Sequence, residues 1–257
     1  MSFEVAAESY DRFMGRYSIQ LSAGLADLAG VEAGQTVIDV GCGPGALTAE
    51  LVARLGADRV AAVDPSEPFV AAACERHPGV DVRLSPAERL PFEDGAFDAA
   101  LAQLVVHFMA DAVAGLREMA RVTRPGGSVA ASVWDMAGER APISPFWVAA
   151  RQLDPGAKDE AGLAGARQGH LADLFAEAGL RDVEVAELDA AVTYESFDEW
   201  WQPYTAGVGP AGAYAMSLSE EARAELRERC LTVLPEAPFS ISATAWAARG
   251  TTPTTDS

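Results

Sequence analysis

A short β-branched run, Thr36-Val37-Ile38-Asp39-Val40, ends in Gly41-Cys42-Gly43-Pro44-Gly45-Ala46, and Leu47, Leu51, Val52 and Leu55 follow at helical spacing. A glycine turn between a strand and a helix lets a ligand lie against the backbone, because glycine has no Cβ and adopts left-handed dihedrals freely. The turn alone satisfies both GxGxG and the dinucleotide fingerprint GxGxx(G/A), so its neighbours must separate the two. A pyrophosphate is held by free amides at a helix start with no anion close by. Here Pro44 lacks an N–H, and Asp39 sets a carboxylate two residues before the first glycine. Both features disfavour a phosphate and favour a positively charged ligand, such as an α-ammonium or a sulfonium. Asp64, at the end of the next apolar run, is placed to accept both hydroxyls of a ribose.

An adenosine-bearing cationic amino acid satisfies that whole constellation: S-adenosylmethionine, with S-adenosylhomocysteine as its demethylated product. Methyl transfer from a sulfonium is an in-line displacement, in which most of the acceleration comes from alignment. A general base adds about 10²–10⁴-fold where the acceptor is a hydroxyl or an activated carbon. His107 is the candidate base, because it follows the fourth apolar run, at the edge of the sheet where ligands bind in such folds. His170 reads as a helix-start or surface residue, and His77, beside Pro78, as an exposed turn residue. The aromatics Trp200, Trp201, Tyr204 and Tyr214, with Phe146 and Trp147, are candidates for a pocket around a flat or apolar acceptor, and equally for packing.

Those side chains need a scaffold. Strands are expected at 36–40, 59–63, 80–84, 97–102, 129–133, 183–188 and 241–248, with helices after Gly45, over 66–76, from Asp111 to a stop at Arg124-Pro125-Gly126-Gly127, and over 171–178. Nearly all-apolar strands alternating with helices imply a parallel sheet covered on both faces. The expectation is therefore an α/β, Rossmann-like, mostly parallel seven-stranded sheet in a single domain, 1–250. It has an N-terminal helical segment at 1–30, a cofactor-binding core at 31–193 and 239–250, and a mainly helical cap inserted at about 194–238, before the last strand. In the cap, Ser219 reads as the N-cap of an amphipathic helix carrying Ala222, Leu226, Cys230 and Val233 on one face. Residues 251–257 read as a loose tail.

The chain resembles the class I S-adenosylmethionine-dependent methyltransferases, most closely the methyltransferase type 11 domain family, and is similar to quinone-biosynthesis methyltransferases. The matching residues are Tyr10-Asp11-Arg12-Phe13-Met14, Val37 to Gly45, Val63-Asp64-Pro65-Ser66, Leu90-Pro91-Phe92-Glu93-Asp94-Gly95-Ala96-Phe97-Asp98 and Arg121-Val122-Thr123-Arg124-Pro125-Gly126-Gly127. The resemblance implies that Gly41, Cys42, Gly43 and Gly45 line the methionine and ribose part of the cofactor. It implies that Asp64, with Pro65, holds the ribose, that Asp39 orients the amino group through water or backbone, and that Gln103 lines the methionine side with its backbone. Tyr10 would close over the cofactor from the N-terminal segment. Where the family has Gly-Asp-Ala before its Leu-Pro-Phe, this chain has Ser85-Pro86-Ala87-Glu88. Pro86 cannot make the family's side-chain contact to the adenine amino group, which leaves Glu88 or the Ala87 amide for that edge.

The charge balance narrows the partners. With 38 acidic against 19 basic residues the net charge is −19, and Lys158 is the only lysine. Such a surface repels a phosphate backbone, so neither nucleic acid nor an anionic membrane is expected as a partner, and the expected partner is a small-molecule methyl acceptor. No run reaches the length of a membrane span and no leader pattern opens the chain. Three widely spaced cysteines, Cys42, Cys74 and Cys230, with no CxxC, and three histidines without ligand spacing, point to a reducing cytoplasm and no metal. Two other functions fit the same residues: an S-adenosylmethionine-binding protein that no longer transfers the methyl group, and, by the glycine pattern alone, a nicotinamide-dependent dehydrogenase.

Overall fold

The structure is a computed structural model that describes residues 10–254. The apolar runs form β1 (Val37–Val40), β2 (Val60–Asp64), β3 (Asp81–Leu84), β4 (Phe97–Gln103), β5 (Thr123–Trp134), β6 (Arg181–Tyr194) and β7 (Phe239–Thr251), in one sheet ordered β3-β2-β1-β4-β5-β7-β6. The first five strands pair in parallel, and β7 runs antiparallel to both β5 and β6. The order reverses at β1: β2 and β3 extend to one side, β4 and β5 to the other. A crevice therefore opens beyond the C-terminal ends of β1 and β4, because the connections leaving those two strands diverge.

Every residue of β1 and β2 is buried, as continuous apolar runs require when both faces of the sheet are covered. Side chains of period two divide between two cores. Val37, Ala99 and Leu101 pack with Leu25 and Ala26 of α1 (Arg16–Leu28) and with Leu47 and Leu51 of α2 (Ala46–Leu55). Ile38, Val40, Ala100 and Ala102 face the other way, toward Leu116, Met119 and Val122 of α4 (Ala112–Val122). The intervening α3 (Glu67–Arg76) starts after Ser66 with Pro68 in its first turn, where a missing N–H costs nothing.

Three features depart from the sequence expectations. The helix stop at Arg124-Pro125-Gly126-Gly127 lies inside β5, since α4 ends at Val122 and the strand begins at Thr123. Residues Ser144–Leu153, read only as a carrier of aromatics, form α5. Thr251 and Thr252 do not open a loose tail. Thr251 ends β7, and buried Thr252 donates through Oγ1 to the Arg124 carbonyl (2.6 Å) and accepts from the Gly127 N–H (3.1 Å). Residues 255–257 of that expected tail lie outside the described residues.

After α6 (His170–Glu177) and β6, the segment before β7 is helical: α7 (Phe197–Thr205), α8 (Gly209–Ser217) and α9 (Glu220–Val233). Ser196 and Ser219 cap α7 and α9, their hydroxyls accepting from the N–H groups of Glu199 and Ala222 at 3.2 Å. On α9 only Leu226 and Cys230 are fully buried. Aromatic rings hold α7 to the rest. Tyr204 stacks on Phe146 of α5 (4.5 Å between centroids, 13° between planes), meets Phe13 at 5.1 Å and touches Trp200 at 4.9 Å. Among the described residues, no helix is long and apolar enough to cross a membrane, and no group of three His, Cys, Asp or Glu side chains could hold a metal ion.

Candidate active site

The turn after β1 is built by three left-handed glycines, with φ of +73° at Gly41, +53° at Gly43 and +100° at Gly45. A Cβ on Gly41 would come within 2.5 Å of the Val105 side chain, whereas one on Gly43 would meet nothing within 4 Å. The first glycine thus allows close packing, and the second leaves open space over the backbone. The amides of Gly41 and Cys42 both donate to the Val63 carbonyl, at 2.7 and 2.9 Å, tying the turn to β2. His77 is not the exposed turn residue its sequence context suggests. It is half-buried, with Nε2 3.0 Å from the Gly45 carbonyl oxygen, and it supports the turn from behind.

The Asp64 carboxylate is buried at the end of β2, where Oδ2 accepts from the Gly43 N–H and Oδ1 from the Ser66 N–H, both at 2.9 Å. Each oxygen keeps a second lone pair, so the group is oriented yet still able to accept two hydroxyls. Burial pushes its pKa up, and the two amide bonds act against that.

Asp39 is 1% exposed. Its Oδ2 accepts from Thr48 Oγ1 at 2.6 Å, while Oδ1 is buried without a partner among the described residues. Desolvation drives its carboxyl pKa up to about 7, despite the Thr48 hydrogen bond. Gln103 is in a similar state. Its Nε2 donates to the Ser18 carbonyl (3.0 Å), and its Oε1 is buried and unpaired among the described residues. An unsatisfied buried acceptor costs about 1–3 kcal/mol, so two of them in one cleft mark a surface made for a ligand that donates hydrogen bonds or carries positive charge.

Both oxygens belong to residues lining one open cleft of about 730 Å³, together with Tyr10, Gly41, Cys42, Gly43, Asp64 and Pro65. Gly45 shapes the turn but does not line the cleft. Ala87 and Glu88 line an adjoining cavity of about 570 Å³ that shares Gly41, Pro65, Val105 and Phe108 with the first. Glu88 Oε1 there accepts from the Asp111 N–H at 3.2 Å. The Cys42 thiol is buried, which pushes its pKa well up and leaves it unreactive.

A second chamber, of about 470 Å³, shares Tyr10, Leu104 and Phe108 with the cleft and is otherwise lined mainly by apolar side chains, including Phe13, Met14, Trp134, Met136 and Ile143. His107 lines it, but not as the base its position suggests. The ring is 5% exposed with Nδ1 unpaired, and burial lowers its pKa to about 3, so it stays neutral and accepts a proton poorly. Trp147, Trp200, Trp201 and Tyr204 do not line this chamber. Trp200, Trp201 and Tyr204 pack against one another, Trp201 and Tyr204 stack on Phe146, and Trp147 meets Phe146 edge-on, so rings from α5 and α7 satisfy each other. The segment before β7 reaches the chamber through Val208 to Ala211 instead.

Sequence reasoning also missed Glu160. Lys158-Asp159-Glu160 looks like a solvated loop, yet Glu160 is 4% exposed, lines the chamber and accepts from Trp147 Nε1 at 3.0 Å. Nothing local in the sequence signals this, because the Trp147–Glu160 contact spans 13 residues and forms only where the loop that follows α5 folds back on it.

Residues 38–131 match the methyltransferase domain family. The demethylmenaquinone methyltransferase of Beutenbergia cavernae is 43% identical over 101 residues, 39% of this chain and 41% of that one. The malonyl-[acyl-carrier protein] O-methyltransferase of Erwinia billingiae is 35% identical over 130 residues, 50% of each chain. The matched stretch thus spans half or less of the length of these curated relatives. Among solved structures, a SAM-dependent methyltransferase from Thermotoga maritima superposes with a TM-score of 0.57 over 95% of this chain and 94% of that one, at 18% identity. Residues 38–131 are therefore a methyltransferase domain, set in a chain with the Rossmann-like fold of the S-adenosylmethionine-dependent methyltransferases.

Proposed function

We propose that this protein is an S-adenosylmethionine-dependent methyltransferase acting on a small, apolar or aromatic molecule. The observation that carries the reading is the pair of orphaned buried oxygens, Asp39 Oδ1 and Gln103 Oε1, in the cleft where Asp64 and the glycine turn converge. These residues fit the cofactor: Asp39 faces its positive charge, Asp64 accepts its ribose hydroxyls, the open side of Gly43 admits it to the backbone, and Ala87 and Glu88 flank its base. When bound, S-adenosylmethionine supplies an electrophilic methyl group on a sulfonium with a neutral thioether as leaving group. The chain's own contribution is to hold a nucleophile in line from the apolar chamber and to exclude water, with the residues around 194–238 serving as a cap over it. The charge of −19 supports a small acceptor over a nucleic acid, and the three free cysteines support a cytoplasmic setting.

Calorimetric titration with S-adenosylhomocysteine and with NADH tests the cofactor, and binding of NADH alone would sink the reading. A product-mass screen with S-adenosylmethionine and a panel of phenols, quinones and amines tests the transfer, the expected result being a gain of one methyl group. Cofactor binding with no methylated product from any class would favour a sensor on the same fold.

The raised Asp39 pKa gives this reading a pH signature. An ammonium beside Asp39 stabilises its ionised form, so binding must lower a pKa that starts at about 7. Affinity for S-adenosylhomocysteine is expected to level off above about pH 7 and to fall by up to roughly tenfold per pH unit below it. Calorimetry across that range checks it, with Asp39→Asn flattening the slope. A flat wild-type profile would mean that no cation sits beside this carboxylate.

A further inference from the structure

The apolar chamber contains one ionisable carboxyl that nothing so far explains. Glu160 comes from the loop after α5, and its Oε2 is fixed by Trp147 Nε1 at 3.0 Å, while Oε1 takes no hydrogen bond among the described residues. Trp147 is itself clamped, edge-on to Phe146 (5.2 Å, 86°) and tilted against Tyr214 (5.5 Å). The indole expected from the sequence to touch the acceptor therefore positions a carboxylate that lines the chamber.

Among the described residues, the lining has no lysine or arginine. An acceptor that arrived as an anion would meet no cationic side chain there and would face Glu160, so a hydroxyl compound enters neutral and loses its proton inside. Two groups in the lining could take that proton. Neutral His107 is a poor acceptor, its pKa held at about 3 by burial, whereas desolvation and the neighbouring Asp159 charge raise Glu160 to about 7, partly offset by Trp147. Arg151 bridges Asp159 (2.5 Å) and Glu139 beside Glu160, and one guanidinium against two carboxylates leaves that cluster negative, in keeping with the upward push from Asp159. Tyr10 and Tyr204 stay protonated, because burial raises both phenols.

We propose that Glu160 is the proton acceptor for a phenol or enol bound in this chamber, held in place for that task by Trp147. The proposal rests on the methyl-transfer reading above. The acceptor's O–H bond breaks and its proton passes to Glu160 Oε1. The oxygen's electron pair forms the new O–C bond to the methyl carbon, and the electrons of the breaking C–S bond remain on sulfur. The carboxylic acid so formed returns its proton to solvent when product leaves. A neutral amine needs no such base before attack, which is why a hydroxyl acceptor fits this chamber better.

The test uses 2-naphthol, an apolar phenol whose hydroxyl becomes strongly acidic on excitation and whose neutral and ionised forms emit at different wavelengths. It is added to the full chain saturated with S-adenosylhomocysteine, with protein in excess. Bound naphthol is expected to emit mainly as naphtholate at about pH 8 and as neutral naphthol at about pH 5, following ionisation of Glu160. Glu160→Gln is expected to keep S-adenosylhomocysteine affinity within about threefold and to show neutral emission at both pH values, and His107→Asn to retain the naphtholate band. Naphtholate emission that survives in Glu160→Gln, a wild-type spectrum independent of pH, or no binding of naphthol would each overturn the proposal. Should Glu160→Gln fail to fold, the wild-type pH profile and His107→Asn decide the matter. Failure of S-adenosylhomocysteine to bind in calorimetry would instead remove the methyl-transfer reading, a separate result.

Discussion

Asp64→Ala is expected to weaken S-adenosylhomocysteine binding by at least about 10²-fold. Each hydrogen bond to a charged acceptor contributes about 1.5–3 kcal/mol, and the proposed ribose contact has two of them, against about 1.4 kcal/mol per tenfold in affinity. The substitution also strips the acceptors from the amides of Gly43 and Ser66, which loosens the turn proposed to hold the cofactor. Asp64→Asn is expected to do little better. One carboxamide end must present an NH2 to an N–H that now donates to a carboxylate oxygen, so one of the two loop bonds is lost whichever way it turns. Calorimetry checks both variants. A loss of less than about tenfold in Asp64→Ala would show that the ribose is not held here. Folding should survive, since the change is confined to the edge of the sheet where the cleft opens.

Trp200→Ala should have the opposite profile, a large loss of stability with the cofactor site intact. The indole is 1% exposed and contacts Phe197, Trp201 and Tyr204, of which Trp201 and Tyr204 in turn stack on Phe146 of α5. Deleting it leaves a cavity where α7 joins the main core, a change that costs about 3–5 kcal/mol for a large aromatic. For a chain of this size that is a fall of roughly 6–20 °C in Tm. Its indole Nε1 already lacks a partner, so no hydrogen bond is lost with the ring. S-adenosylhomocysteine affinity, measured well below the transition, is expected within about threefold of wild type. Unchanged Tm with a selective loss of acceptor turnover would mean that this aromatic cluster contacts substrate after all.

These two residues illustrate what could be read in advance. The position of Asp64 was legible because it depends on local order: an apolar strand, then an acid, then a helix start, at a fixed place in a repeating strand-helix pattern. The positions of Asp39, Gly41, Gly43 and Gln103 along one cleft were legible for the same reason, since each sits in or just after the end of a strand. Trp200 was ambiguous, because aromatic residues serve pockets and cores equally and composition does not say which rings they will meet. His77 looked exposed beside Pro78, yet the return of α3 brings it under the Gly45 carbonyl. His107 was correctly placed near a cavity, but its burial, and with it the loss of basicity, depends on neighbours distant in sequence.

The sequence by itself determined the strand-helix alternation, the mostly parallel character of the sheet and the placement of the glycine turn, Asp39 and Asp64 at strand ends, while the strand order came from the structure. Period-two and period-3.6 patterning and the glycine turn are local, and local signals survive in one dimension. Only the tertiary structure decided how Glu160 of the 154–169 loop and Val208 to Ala211 of the segment before β7 come to line one apolar chamber with Phe13, Met14 and Trp134, because those side chains are far apart in sequence. Glu160 shows the difference: its neighbours Lys158 and Asp159 suggest water, while Trp147 and the chamber wall remove it from water and turn an ordinary acid into the chamber's one buried carboxyl.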